Sequence, residues 1–308
     1  MTKNSFLSNL CKKCGNAFFS LSALFESEKP PDRQGTESLE RVTDPIPSQL
    51  VKVGRERSLH RTRFGDLFWL NDYSCIDQSI VQTGLWEPRA TEVVRAIVKK
   101  GHVVLDVGAN IGYFTVILSK LVGPEGKVYA FEPATKYYEI LKRNLEENEI
   151  SNCEVFKLGL SDRKQTVGIF EDEASATIHV PEGIPLGNRE TISVVALNDF
   201  VREHRVKKID FIKIDVDGHE PLIFQGAWDT LEQYNPVILT EVSQLHFLES
   251  GITAWDFYAE LKRRGYNIYS EAGLVEIKNR STFLVECGNY AYSANVFISR
   301  RNLPQNDK

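Results

Sequence analysis

Two rhythms of apolar and polar positions alternate along the middle of the chain. Val93, Val94, Ile97 and Val98 recur at helical spacing, which predicts a helix over Arg89–Lys100, ended by Gly101-His102. Val103 to Val107 is apolar at nearly every position, which predicts a strand buried on both faces. A second helix begins near Tyr113, with Phe114, Ile117, Leu118 and Leu121 on its apolar side, and Gly123-Pro124 stops it. A strand follows over 127–131, then a helix to about Asn148 with Tyr138, Leu141 and Leu145 inward, then a strand over Cys153–Leu158. Helices alternating with near-continuous apolar strands predict a parallel sheet covered on both sides.

The stretch 165–197 breaks this alternation. Thr166–Phe170, Ala176–Val180 and Thr191–Leu197 read as short antiparallel strands, a hairpin inserted between the third and fourth sheet strands. Asp210–Ile214 and Val237–Thr240 are the fourth and fifth strands, and Trp255–Arg264 is a helix ending at Gly265. Tyr266–Tyr269 and Ala294–Ser299 are final strands, with no form assigned to Gly273–Leu284 between them. Phe64–Asn71 and Tyr73–Ile80 are lead-in elements of unassigned type, and Gly84–Pro88 is a turn.

The N-terminal quarter follows another pattern. Leu7, Leu10, Cys14, Phe18, Leu21 and Phe25 fall on one helical face, so residues 1–25 form an amphipathic segment, expected to dock on its own domain or fray. Lys12-Lys13 breaks the apolar core that a secretory signal needs. Cys11 and Cys14 have metal-like spacing but no second pair, and read as ordinary thiols. Residues 26–60 form a Pro-, Glu- and Ser-rich linker, 61–300 the main domain and 301–308 a tail.

Composition narrows the classes. The 308 residues are 42% hydrophobic and 26% charged, ordinary for a globular protein. A net charge of −5 gives no basic field for nucleic acid. Five scattered cysteines fit a reducing compartment, hence the cytoplasm, and no apolar run reaches the length of a transmembrane helix.

The chemistry concentrates at two strand ends. Asp106-Val107-Gly108-Ala109-Asn110-Ile111-Gly112 joins a buried strand to a helix N-terminus, as cofactor turns do in doubly wound proteins. Glu132, closing the next strand about 20 residues on, is where an acid takes ribose hydroxyls. Asn110 stands where a dinucleotide turn needs its second Gly, and no Gly-Lys-Ser/Thr ending makes a P-loop. Asp106 would repel a phosphate but could hold a cationic ligand or orient the turn. A positive sulfonium nucleoside without phosphate, S-adenosylmethionine, suits this set.

The second cluster is Ile212-Lys213-Ile214-Asp215-Val216-Asp217-Gly218-His219-Glu220. The fourth strand lies beside the first in the usual order, so Asp215 should face the Gly108 turn. Asp217 or Glu220 could instead cap the short helix beginning near Pro221. The Asp/His/Glu set also resembles oxygen-rich metal ligation, but its spacing fits no specific motif, and no metal ligand is assigned. No G-x-S-x-G elbow supports a hydrolase.

Together with Phe131-Glu132-Pro133 and Leu239-Thr240-Glu241, these motifs resemble the FkbM-family methyltransferases over roughly Gly84 to Ser299. The resemblance implies an α/β, Rossmann-like class I methyltransferase fold: a doubly wound, mostly parallel sheet with an antiparallel C-terminal strand and a small β-hairpin insertion. It implies S-adenosylmethionine as cofactor and a hydroxyl on a sugar, glycan or natural product as acceptor. The expected cofactor contacts are Glu87, Asp106, Gly108, Asn110, Gly112, Glu132, Ser161 and Asp215. Asp215, Asp217 and His219 are the catalytic candidates, and His219, Glu220 and Glu241 the acceptor contacts. The family usually carries Glu where Asp217 stands, a change that moves the carboxylate by about 1.5 Å, enough to matter for positioning. The rival readings are an N-methyltransferase of the same fold and a module that binds the cofactor without turnover. A nicotinamide dehydrogenase is weaker, because of Asn110.

Overall fold

The computed structural model describes residues 57–71, 74–171, 176–177, 189–288 and 293–303. The amphipathic segment, Cys11, Cys14, most of the expected linker and residues 304–308 lie outside the described residues.

The described chain opens with a hairpin, β1 (Ser58–Arg61) antiparallel to β2 (Leu67–Leu70). The first described strand therefore begins at Ser58, inside the stretch read as linker. The hairpin docks on the helix Thr135–Glu147 through polar side chains: the Trp69 N–H donates to Asn144 Oδ1 at 2.8 Å, and the Arg143 guanidinium stacks 3.4 Å over the Trp69 ring. The second lead-in element is the helix Cys75–Thr83, capped by Ser74 and ended by Gly84 in the left-handed region.

Seven strands form the central sheet. They are β3 (Val103–Val107), β4 (Lys127–Phe131), β5 (Cys153–Phe156), β10 (Phe211–Ile214), β11 (Val237–Val242), β12 (Asn267–Ser270) and β13 (Ala294–Ser299). Their order is β12-β13-β11-β10-β3-β4-β5, parallel except where β13 runs antiparallel to both neighbours. The doubly wound sheet with an antiparallel C-terminal strand is as the sequence implies. Both faces are covered, which is why the strands are apolar at successive positions. Val104, Val128, Ala130 and Phe211 pack with Phe114, Ile117 and Leu118 on one face. Leu105, Val107, Phe131, Ile212 and Ile214 pack with Phe224, Leu231 and Phe257 on the other.

The insertion is larger than a hairpin. β6 (Gly159–Ser161), β7 (Gln165–Glu171), β8 (Ala176–Thr177) and β9 (Arg189–Ala196) form a second sheet in the order β6-β9-β7-β8, with β6 parallel to β9. The partners of the three-residue β6 come from distant sequence, so local pattern carries no trace of it. The expected strand to Leu158 stops at Phe156, and the chain turns at Leu197 into the helix Leu197–Glu203. Most of Ala176–Val180 lies outside the described residues. Gln244–Glu249 and Trp228–Tyr234 are helices of six and seven residues that sequence periodicity leaves out, being too short to repeat. Arg280–Cys287 resolves the unassigned stretch as a helix capped by Asn279. Among the described residues no helix is long and apolar enough to cross a membrane.

Candidate active site

The ends of β3 and β10 meet because one residue has no side chain. Gly108 sits at φ +77°, and a Cβ there would fall 1.9 Å from the Asp215 carbonyl oxygen. The N–H groups of Gly108 and Ala109 both donate to the Phe131 carbonyl at 3.0 Å, tying the turn to β4. Asn110 adopts φ +50°, a conformation Asn tolerates better than most residues, and its side chain accepts from the Ile111 N–H at 2.8 Å. Gly112, at φ +88°, then starts the helix Tyr113–Val122.

Glu132 closes the opposite side. Its Oε2 accepts from the Asn110 N–H at 2.8 Å and its Oε1 from the Ala134 N–H at 3.0 Å. The carboxylate thus clamps the β3 turn to the turn after β4.

Beneath the turn lies a buried ionic layer. Asp106 and Lys213 are paired across β3 and β10 and project to the same face, under the helix Tyr113–Val122. Asp106 is fully buried, and Thr115 Oγ1 donates to its Oδ2 at 2.6 Å. Burial pushes its carboxyl up, against the pull of Lys213 and Thr115. Burial alone would push the Lys213 ammonium down, but Asp215, Asp106 and Glu87 outweigh it and raise it. Lys213 Nζ lies 3.0 Å from Asp215 Oδ2 and 5.0 Å from the centre of the Phe114 ring. Lys213 is the site residue that sequence reasoning left without a role. Its signal was a lysine inside an apolar strand, one strand-pairing step from Asp106.

Beyond β10 the chain turns sharply. Asp217 is left-handed at φ +51° and Gly218 at φ +99°, where a Cβ would fall 2.3 Å from His246 Cβ. This turn starts the helix Glu220–Gln225. His219 Nε2 lies 3.0 Å from the buried Ser161 Oγ on β6. Glu220 Oε1 accepts from the Val216 N–H at 3.0 Å, so this side chain closes the turn before the helix, and neither Asp217 nor Glu220 caps the helix, contrary to the capping expectation. Glu241, on β11, takes a hydrogen bond from Ser293 Oγ.

One pocket collects most of these groups. Gly108, Asn110, Glu132, Asp215, Asp217 and His219 line it, with apolar walls from Phe131, Leu160, Ile169, Ile192 and Val194 and the ring of Tyr137. The structure brings together six of the expected site residues on this wall. Asp106, Glu87, Gly112, Ser161, Glu220 and Glu241 stand off it. Asp106 and Glu87 face Lys213, Ser161 holds His219, and Gly112 packs on Leu141.

Comparison with known proteins bears on the whole arrangement. The family described as "Methyltransferase FkbM domain" matches residues 106–268, more than half of the chain. The protein-L-isoaspartate(D-aspartate) O-methyltransferase family matches residues 42–167. Methyltransferase 1 of Beauveria bassiana (strain ARSEF 2860) is 26% identical over 42% of this chain and 61% of its own length. The 31-O-demethyl-FK506 methyltransferase FkbM of Streptomyces tacrolimicus is 26% identical over 56% of this chain and 75% of its own length. The hexuronic acid methyltransferase AglP of Haloferax volcanii is 27% identical over 48% of this chain and 60% of its own length. For the first two curated relatives, the match spans 61% and 60% of their length.

The cofactor is S-adenosylmethionine, and the residues present fit it. Glu132 puts an acceptor-only carboxylate on the pocket wall, which suits a pair of ribose hydroxyls. The apolar wall suits a flat base. The carboxylates of Asp215 and Asp217 favour a sulfonium and oppose a phosphate.

Proposed function

The chain belongs to the FkbM methyltransferase family, and we propose that it methylates a hydroxyl of a sugar, glycan or natural product. The observation that carries this reading is the pocket itself, where a hydroxyl-accepting carboxylate and a cluster of proton-accepting side chains face one another across the Gly108 turn. S-adenosylmethionine supplies a methyl group already activated on sulfur, so the protein has two tasks, positioning and proton removal.

Glu132, Gly108 and Asn110 hold the nucleoside. Asp106, Glu87 and Gly112 act through the turn and through Lys213 rather than by contact. Asp215, fixed by Lys213, presents charge beside the turn. His219 accepts the hydroxyl proton, its ring held by Ser161, and Asp217 orients the acceptor from the same wall. Ser161 is in this reading a positioning residue for His219. The acceptor is a small molecule or glycan rather than nucleic acid, in keeping with a net charge of −5, and the place of action is the cytoplasm. Two relatives named for 31-O-demethyl-FK506 and a hexuronic acid support an oxygen-rich acceptor.

The test is incubation with methyl-labelled S-adenosylmethionine and fractionated cell extract, with mass spectrometry to locate the added methyl. A methyl ether supports the proposal. A methylated nitrogen places the chain with N-methyltransferases, and cofactor binding with no transfer to any fraction makes it a binding module.

A further inference from the structure

Behind the cofactor wall, on the β11 side of Asp215, three carboxylates converge. Asp215 follows β10, Glu220 opens the next helix and Glu241 lies on the neighbouring parallel strand β11. Each brings an oxygen within 4.8 Å of the other two. Oxygens sharing one hard cation at about 2.0–2.6 Å are separated by distances of this size. Such a gathering is costly without a counter-charge. Lys213 answers Asp215, at 3.0 Å from its Oδ2, but the charged neighbours that act on Glu220 are Glu241 and Asp215, both of the same sign.

Glu220 supplies the second observation. Its side chain is 1% exposed, its Oε1 is taken by the Val216 N–H, and its Oε2 is buried with no hydrogen-bond partner among the described residues. A buried carboxylate oxygen left bare is costly, so an arrangement that keeps one calls for a partner. Closing the turn at Val216 needs only the oxygen already used, and Glu241 has its own partner in Ser293.

We propose that Asp215, Glu220 and Glu241 bind a hard divalent cation, of the Mg²⁺ or Mn²⁺ kind, at the carboxyl ends of β10 and β11. All three ligands are oxygens, which suits a hard ion and gives no purchase to a thiophilic one. Water fills the remaining positions. The site stands independently of the methyl-transfer reading, since it rests on the carboxylates alone. It adds to the sequence pattern, whose spacing assigned no metal ligand.

The probe is MnCl₂ added to the full-length, chelator-treated protein, with free Mn²⁺ read by electron paramagnetic resonance and melting temperature read in parallel. One site per chain is expected, together with a melting temperature that rises with MnCl₂. Glu220→Gln and Glu241→Gln should each weaken Mn²⁺ binding at least tenfold and abolish the rise, while the exposed Glu146→Gln leaves both unchanged. The Gln variants keep shape and volume, and calorimetric S-adenosylmethionine binding reports that they are folded. If the wild type binds no more Mn²⁺ than the two Gln variants, or if those variants melt higher with no metal effect in any protein, the carboxylates share a proton and the proposal is overturned. Either result leaves methyl transfer untouched, because that is read separately by the label.

Discussion

Lys213 shows what a single residue decides here. It sits 4% exposed between Asp106 and Asp215, with Glu87 adding to the attraction. Removing one partner of a buried ionic set strands the others, at a cost of about 3–5 kcal/mol. Lys213→Met should therefore lower unfolding stability by that amount in urea titration, and a loss below about 1 kcal/mol would show that Asp106 is held neutral without it. Glu132 makes a second residue-scale case, because it ties two turns together and lines the pocket. Glu132→Ala should weaken S-adenosylmethionine binding by about 1.5–3 kcal/mol in calorimetry, the size of hydrogen bonds to a charged group. It should also lower the melting temperature, since the N–H groups of Asn110 and Ala134 lose their acceptor. Unchanged affinity in a folded variant would leave Glu132 a turn clamp only. The sequence showed Glu132 as a site acid by its spacing from the Gly turn. It could not show that the same carboxylate closes two turns, because that depends on where the turns meet.

At the scale of elements, the legible parts were those with long apolar runs. The five parallel strands and the order that sets β10 beside β3 follow from run, turn and helix alone. The second sheet did not, because β6 finds its parallel partner more than thirty residues away by number, in β9. Short helices such as Gln244–Glu249 escaped for want of a full period. The contact between strand ends gives an element-scale prediction. Gly108→Ala puts a methyl group 1.9 Å from the Asp215 carbonyl oxygen at a positive φ, so the β3 and β10 ends must separate. Stability should fall by about 1–3 kcal/mol or more, and S-adenosylmethionine binding should be lost. An alanine variant that binds normally would mean that the two ends meet more loosely than described.

For the molecule as a whole, the described fold closes on itself between residues 57 and 303, with the β1–β2 hairpin docked on the helix Thr135–Glu147. A chain lacking residues 1–50 should melt cooperatively and bind S-adenosylmethionine with unchanged affinity, and insolubility or a broad melt would assign the N-terminal segment to the core. One sheet also sets Glu132, just after β4, and His219, beyond β10, on the wall of one pocket, where the proposed reaction needs a cofactor contact and a proton acceptor. The most direct measurement of that requirement is methyl transfer by His219→Ala, alongside cofactor affinity and melting temperature. Loss of a general base lowers rate by about 10²–10⁴-fold, whereas loss of a helix-end contact costs about 1 kcal/mol of stability. Turnover should fall at least a hundredfold with affinity and melting temperature held; wild-type turnover in a variant that merely melts earlier would rule out His219 as the base.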